Sequence, residues 1–187
     1  MKHMLDAGVS LDDFDAATYV LFESVCSASH GALRMLIDAQ VVSKTRISSK
    51  ASITCGGLAF PLEIAAGKGY RTCTRILLDN GADPNAVSEN GTALYHAITD
   101  VIDEPTILML LEKGANPNQF AADDPAYDGK DMLFVRAIGT GKKLLVEMLL
   151  NYGAKINVAD PNRTEYDTPL SWAIKCGFVD IVTLLLE

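Results

Sequence analysis

An all-α stack of helix–turn–helix units joined by extended loops is the fold this sequence predicts, and three observations predict it. Residues 77–85 read LLDNGADPN and residues 110–118 read LLEKGANPN, nearly the same nine residues 33 positions apart. A looser third copy, LLNYGAKIN, fills 149–157. The segments FPLEIAAGKG from Phe60, TALYHAITDV from Thr92, MLFVRAIGTG from Met132 and TPLSWAIKCG from Thr168 share one apolar helical pattern. Each is followed by a second apolar helix, TRILLDNG, ILMLLEKG, VEMLLNYG and the terminal IVTLLLE. With 49% apolar residues in 187, the chain has enough for a continuous core.

Each part of the unit has a physical reason. Pro61 and Pro169 stand where a first helix begins, and there the missing N–H has no helical partner to lose. Ala65, Ala97, Ala137 and Ala173 are equivalent and small, so neighbouring first helices can approach closely. Leu, Ile and Met at helical spacing give the second helix a stripe that only a following unit buries. Gly81, Gly114 and Gly153 follow that stripe, where a positive φ closes the helix without a Cβ clash. Weaker copies are YVLFESVCSASHGALRMLIDAQ over 19–40 and MLDAGVSLD over 4–12. The chain therefore divides as one domain, 1–187, with a partial unit at 1–16, repeats near 17–57, 58–90, 91–130 and 131–166, and a truncated last unit at 167–187.

TPLSWA at 168–173 and GADPN at 81–85, with the period near 33, resemble the ankyrin repeat and its T-P-L-H-x-A start. The resemblance covers nearly the whole chain and implies an ankyrin-repeat solenoid with projecting finger loops. It also implies a non-catalytic scaffold or adaptor that binds a protein through its concave groove and fingers. A regulatory segment of a larger multidomain protein is the alternative, and a small-molecule site or enzyme in the groove is a third reading. The motif's histidine is missing, since Phe22, Glu63, Tyr95, Val135 and Ser171 hold the equivalent positions. The hydrogen bonds of that histidine are therefore not expected, and stability below that of an idealised array is. Spacing varies too: Ala65 to Ala97 is 32 positions, Ala97 to Ala137 is 40 and Ala137 to Ala173 is 36, so the extra residues are expected to bulge out as loops.

Composition narrows the partners. A net charge of −8 argues against a nucleic-acid backbone, which is bound through clustered Lys and Arg, and no apolar run approaches the roughly 20 residues of a membrane span. The first residues, MKHMLDAGVSLDD, contain no signal-like apolar stretch. Cys26, Cys55, Cys73 and Cys176 are scattered with no CxxC pair, which points to reduced thiols in an intracellular protein, cytoplasmic or nuclear, rather than to zinc or disulfides. The sequons at Asn90 and Asn162 are read as helix-start residues, where Asn and Thr serve as caps.

Function is expected where the repeats disagree. The residues before the aligned alanines, or before Ser24 in the first unit, are Glu23, Ile64, His96, Arg136 and Trp172, and their variety predicts a solvent-facing groove. Positions three and four further on share that side, and the candidate groove set is Glu23, Ile64, Tyr95, His96, Asp100, Arg136, Thr140, Trp172 and Lys175. Arg136 is also read as a structural bridge to Asp100 or another carboxylate, and Trp172 as packing over a neighbouring repeat. The fingers add Arg46 and Lys50 from the Ser-rich residues 43–57, Asp123, Asp124 and Tyr127 from the acidic residues 119–130, and Arg163 and Tyr166 from residues 158–167. The Ser-rich finger reads as a contact or phosphorylation segment or as a flexible solubilising insertion. The acidic finger lacks the spacing of a calcium loop and would steer a basic partner.

Catalysis is not expected. His96, Arg136 and Cys176 lie on successive repeats, about 10 Å apart per repeat, too far for thiol and imidazole to meet. GTGKK at 139–143 has Arg136 where a phosphate loop needs its first glycine, and His3 and His30 suggest no metal. No cofactor is expected. The apolar LLLE at the end predicts either a longer ankyrin array or a C-terminal face covered by a partner or a second copy.

Overall fold

The computed structural model describes residues 14–40, 47, 51–53, 57–88, 91–119, 133–156 and 168–187. Among the described residues ten α-helices form five antiparallel pairs: α1 (Phe14–Cys26) with α2 (His30–Asp38), α3 (Pro61–Gly67) with α4 (Arg71–Asp79), α5 (Ala93–His96) with α6 (Glu104–Glu112), α7 (Leu133–Gly139) with α8 (Lys143–Asn151), and α9 (Pro169–Lys175) with α10 (Val179–Leu186). First helices stack on first helices from α1 through α9, and second helices pack alongside, α2 on α4, α4 on α6 and α8 on α10. The fold is an all-α repeat solenoid. Among the described residues two short antiparallel strand pairs punctuate it: β1 (Ala51–Ile53) with β2 (Gly57–Ala59), and β3 (Val87–Ser88) with β4 (Gly91–Thr92). The first pairs residues at the end of the Ser-rich segment, which is thus partly ordered as a ladder rather than wholly loop. The expected partial unit at 1–16 lies almost entirely outside the described residues.

The recurring residues do the same job each time. Ala65, Ala97, Ala137 and Ala173 are all fully buried in one core that runs from Leu21 to Ile181. The second helices α4, α6 and α8 end in a Schellman closure, and this explains the Gly-Ala of the motif. Ala82, Ala115 and Ala154 donate their N–H to Leu77, Leu110 and Leu149 five residues back, over glycines with φ of 89, 89 and 85°. The three alanines are themselves buried.

The motif's asparagine staples one repeat to the next. Asn85 Nδ2 donates to the Gly114 carbonyl (2.8 Å) and its Oδ1 accepts from Asn116 N–H (2.7 Å). Asn118 repeats the bond pair one unit on, to the Gly153 carbonyl and from Lys155 N–H, each at 2.8 Å. Across the second helices, Lys113 bridges to Asp79 and Arg71 to Asp103. Asp103 also caps α6, accepting from Thr106 N–H, as Thr92 caps α5 and Thr168 caps α9.

The third unit departs from the others. Ala97 to Ala137 is eight positions longer than Ala65 to Ala97; seven of the eight fall between Gly114 and Ala137, where residues 120–132 lie outside the described residues, and one does not enter a loop as the spacing led us to expect. It is absorbed inside the helix pair, because Ala97–Val101 forms a π turn at the end of α5. The turn between helices elsewhere uses a left-handed residue four positions after the aligned alanine, Gly69, Gly141 and Gly177, with φ of 68, 70 and 73°. Here the left-handed residue falls five positions on and is Ile102, at φ 42°. A β-branched residue in that region is a genuine strain, of about 1–3 kcal/mol.

Candidate functional site

Of the candidate groove residues, Tyr95 and His96 lie on α5, Arg136 on α7, and Trp172 and Lys175 on α9. Thr92 starts α5 by accepting from Tyr95 N–H (3.1 Å). Tyr95 lies edge-on to His96, with ring centroids 5.5 Å apart. From the next helix, Arg136 extends back over Tyr95 with its guanidinium carbon 5.6 Å from the ring centroid, a cation–π stack between repeats. Trp172, on α9, is 39% exposed and sits above Gly139 of α7, so Tyr95, Arg136 and Trp172 form one line over three repeats. Thr140 is half-buried at the end of α7, where its hydroxyl donates to the Ala137 carbonyl, and Lys175 is exposed in the last turn of α9.

Two of the groove residues sit differently from the expectation of solvent-facing variety. Ile64 is half-buried against the core, because its neighbours Ala65 and Ala66 bring α3 close to α5. His96 has only 19% of its side chain exposed and lies between two carboxylates. Its Nδ1 is 3.2 Å from Asp100 Oδ2 one turn on, and its Nε2 is 3.1 Å from Glu63 Oε1 of the preceding repeat. The Nε2 approach is off the N–H axis and makes no aligned hydrogen bond, so it is best described as a charge pair. Burial pushes the imidazole's pKa down, but Glu63 and then Asp100 outweigh it and hold the pKa above the ordinary 6.5. Glu63 occupies the position of the motif's absent histidine. Its second oxygen accepts from Phe60 N–H (3.3 Å), so a different polar contact links these repeats than the missing one would have made.

Asp100, one of the carboxylates read from the sequence as a partner for Arg136, is held by His96 and by the Thr99 hydroxyl (3.0 Å), and the Arg136 guanidinium lies over the Tyr95 ring. Gly67 makes room for this arrangement, since a Cβ there would lie 2.8 Å from Asp100 Oδ2. Glu23 is exposed on α1, at the other end of the row. The finger candidates Arg46, Lys50, Asp123, Asp124, Tyr127, Arg163 and Tyr166 lie outside the described residues. Cys26 and Cys176 are exposed thiols and Cys73 is buried, where burial raises its pKa.

The ankyrin-repeat family model matches residues 59–89 and 165–187, the two regions that contain the GADPN turn and the TPLSWA start. The chain is an ankyrin-repeat protein. It is 29% identical over 130 residues to an ankyrin repeat and KH domain-containing protein of Caenorhabditis elegans and 36% identical over 148 residues to one of Caenorhabditis briggsae. These matches cover 68% and 71% of this chain but 5% of each relative. It is also 44% identical over 61 residues to a putative ankyrin repeat protein of Rickettsia bellii, covering 26% of that protein. The chain thus spans a small part of the curated relatives it matches. Ankyrin repeats are generally protein–protein interaction modules. Among the described residues no helix is long and apolar enough to cross a membrane.

Proposed function

We propose that this chain is a non-catalytic scaffold or adaptor whose protein partner lies along the first-helix face of α5, α7 and α9. Tyr95, Arg136 and Trp172 are its anchors, with Asp100, Thr140 and Lys175 at the margins. The observation that carries this reading is the Tyr95–Arg136–Trp172 line: a stacked guanidinium beside an indole that is 39% exposed. Trp, Tyr and Arg supply most of the binding energy at protein interfaces, and here rigid stacked helices hold them in order. His96 belongs to the scaffold of this surface, since its contacts with Glu63 and Asp100 fix α5 against α3. The finger residues extend the surface in this reading on the strength of their sequence alone. Reduced Cys26, Cys73 and Cys176 fit an intracellular setting.

The test is affinity capture from the native lysate with the wild-type chain and with an Arg136→Glu, Trp172→Ala double variant. Loss of a partner from the variant alone is the expected result, and equal recovery of every partner by both removes the assignment. A second reading, a regulatory ankyrin segment within a longer polypeptide, draws support from the 5% share of the two nematode relatives that this chain spans.

A further inference from the structure

His96 stands between two carboxylates that belong to different repeats. Its Nε2 faces Glu63 Oε1 of α3 at 3.1 Å, and its Nδ1 faces Asp100 Oδ2 of the π turn at 3.2 Å. The set occurs at one joint. The equivalent positions at the other joints hold Phe22, Ile64 and Lys68, then Tyr95, Arg136 and Thr140, then Val135, Trp172 and Cys176. An imidazolium carries an N–H on each nitrogen and suits both carboxylates, whereas a neutral imidazole carries one. On deprotonation one nitrogen therefore turns a lone pair toward a carboxylate, and one of the two contacts must open.

Burial and anchoring decide which contact that is. The Glu63 side chain is 6% exposed and its other oxygen accepts from Phe60 N–H, so it has little water to turn to. The Asp100 side chain is 49% exposed, and the Thr99 hydroxyl beside it has the Tyr95 carbonyl as a second acceptor. The single proton of neutral His96 thus belongs on Nε2, toward the carboxylate that water does not reach, and Asp100 is the group that leaves. Asp100 lies in the π turn, which ends on left-handed Ile102. Strain of that kind persists only while surrounding contacts hold it, and the contact from Asp100 to His96 is one of them.

The charged groups around α5 leave the two carboxylates in control. Among the described residues, α3 brings Glu63 and, just past its end, exposed Lys68, and the π turn brings Asp100. Next to α6, Asp103 pairs with Arg71, while on it Glu104 pairs with Lys142 and Glu112 is exposed. β4 has no charged residue, and Arg136 of α7 lies over the Tyr95 ring that stands edge-on to His96. Burial lowers the imidazole's pKa, and Glu63 and Asp100 outweigh burial, so the proton leaves above pH 6.5.

We propose that His96 is a proton-operated latch between the second and third repeats: protonated, it ties Asp100 and the π turn to Glu63 of the preceding repeat; neutral, it keeps Glu63 and releases Asp100, and the turn through Ile102 loosens. The latch does not depend on what binds the first-helix face.

Nuclear magnetic resonance on the 15N-labelled full chain, from about pH 5.5 to about pH 8.5, tests it. The His96 ring is followed through its Cε1–H shift, with His30, exposed on α2, as the control. The amide shifts of residues 98–102 should follow the His96 midpoint rather than that of His30. Their protection from hydrogen exchange should fall at least about threefold across that midpoint. Glu63→Gln separates a latch from a passive contact. Its amide can donate to Nε2, so neutral His96 keeps its proton on Nδ1 for Asp100, and the turn stays protected over the whole range. Should Glu63→Gln melt below the wild type, Asp100→Asn at the half-exposed position serves instead and should leave a turn whose protection no longer varies with pH. Amides of residues 98–102 that ignore the His96 titration in the wild type, or that respond to it equally in Glu63→Gln or Asp100→Asn, overturn the proposal.

Discussion

Replacing Asn85 with alanine tests whether the recurring GADPN segment is a joint between repeats or a local turn. The side chain makes two bonds, both to the following unit: one to the Gly114 carbonyl at 2.8 Å and one from Asn116 N–H at 2.7 Å. A net contribution of about 0.5–1.5 kcal/mol per hydrogen bond would make the pair worth roughly 1–3 kcal/mol. Both bonds lie at exposed positions, so water can take over Gly114 O and Asn116 N–H, and the loss falls in the lower half, about 1–2 kcal/mol. For a chain of this size that is a fall of about 2–8 °C in Tm. The assay is urea and thermal unfolding by circular dichroism with hydrogen exchange read at residues 114–116. Asn80→Ala is the control, because Asn80 Nδ2 bonds to Ile76 within its own repeat. A change below about 0.5 kcal/mol for Asn85→Ala, or faster exchange only within residues 77–86, would refute the reasoning.

Further expectations follow from the same contacts. Gly141→Ala forces a left-handed alanine and sets a Cβ 2.9 Å from the Phe178 ring, whereas Gly114→Ala, at φ 89°, meets nothing within 4 Å. Both lose the backbone term of about 1–2 kcal/mol, and a chemical melt should show Gly141→Ala as the more damaging because Phe178 must also move. His96 has a folded pKa above 6.5, so its contribution to stability is full below 6.5 and is lost as pH rises through the folded value. The stability gap between wild type and Glu63→Gln should therefore narrow as pH climbs past 6.5, and a gap that widens contradicts the pairing. Asp103 is held below its ordinary 3.8, first by Arg71, so its contribution is present above 3.8 and fades as pH falls toward the lowered value. Asp103→Ala, which also removes the cap of α6, should cost about 1–2 kcal/mol at neutral pH and less in acid.

The parts of the fold legible in the sequence are those that every unit needs. The buried alanines and the left-handed glycines recur at fixed offsets because each copy of the helix pair meets the same neighbour. The π turn was hidden because counting between Ala97 and Ala137 cannot say on which side of Gly114 an extra residue lies. A comparison of Ala97 to Gly114 with Ala65 to Gly81, 17 positions against 16, would have located it inside the helix pair. The partners of Asn85 and Asn118 lie 29–37 positions away, so the motif announced a turn but not the joint it makes. His96 was read as groove-facing from its variety among the repeats, and Glu63 from the preceding unit draws it inward instead. Of the candidate site, the Tyr95–Arg136–Trp172 line was foreseeable residue by residue, while the pair of carboxylates around His96 was not. It joins two repeats through an altered helical turn.

The central claim is that a protein partner lies on the first-helix face at Trp172. Its most direct test is a photo-crosslinking side chain placed at position 172, compared with the same group at Leu144, which is 66% exposed on second helix α8. The account predicts a partner crosslinked from position 172 and not from 144. Capture of the partner from position 144 alone would contradict it.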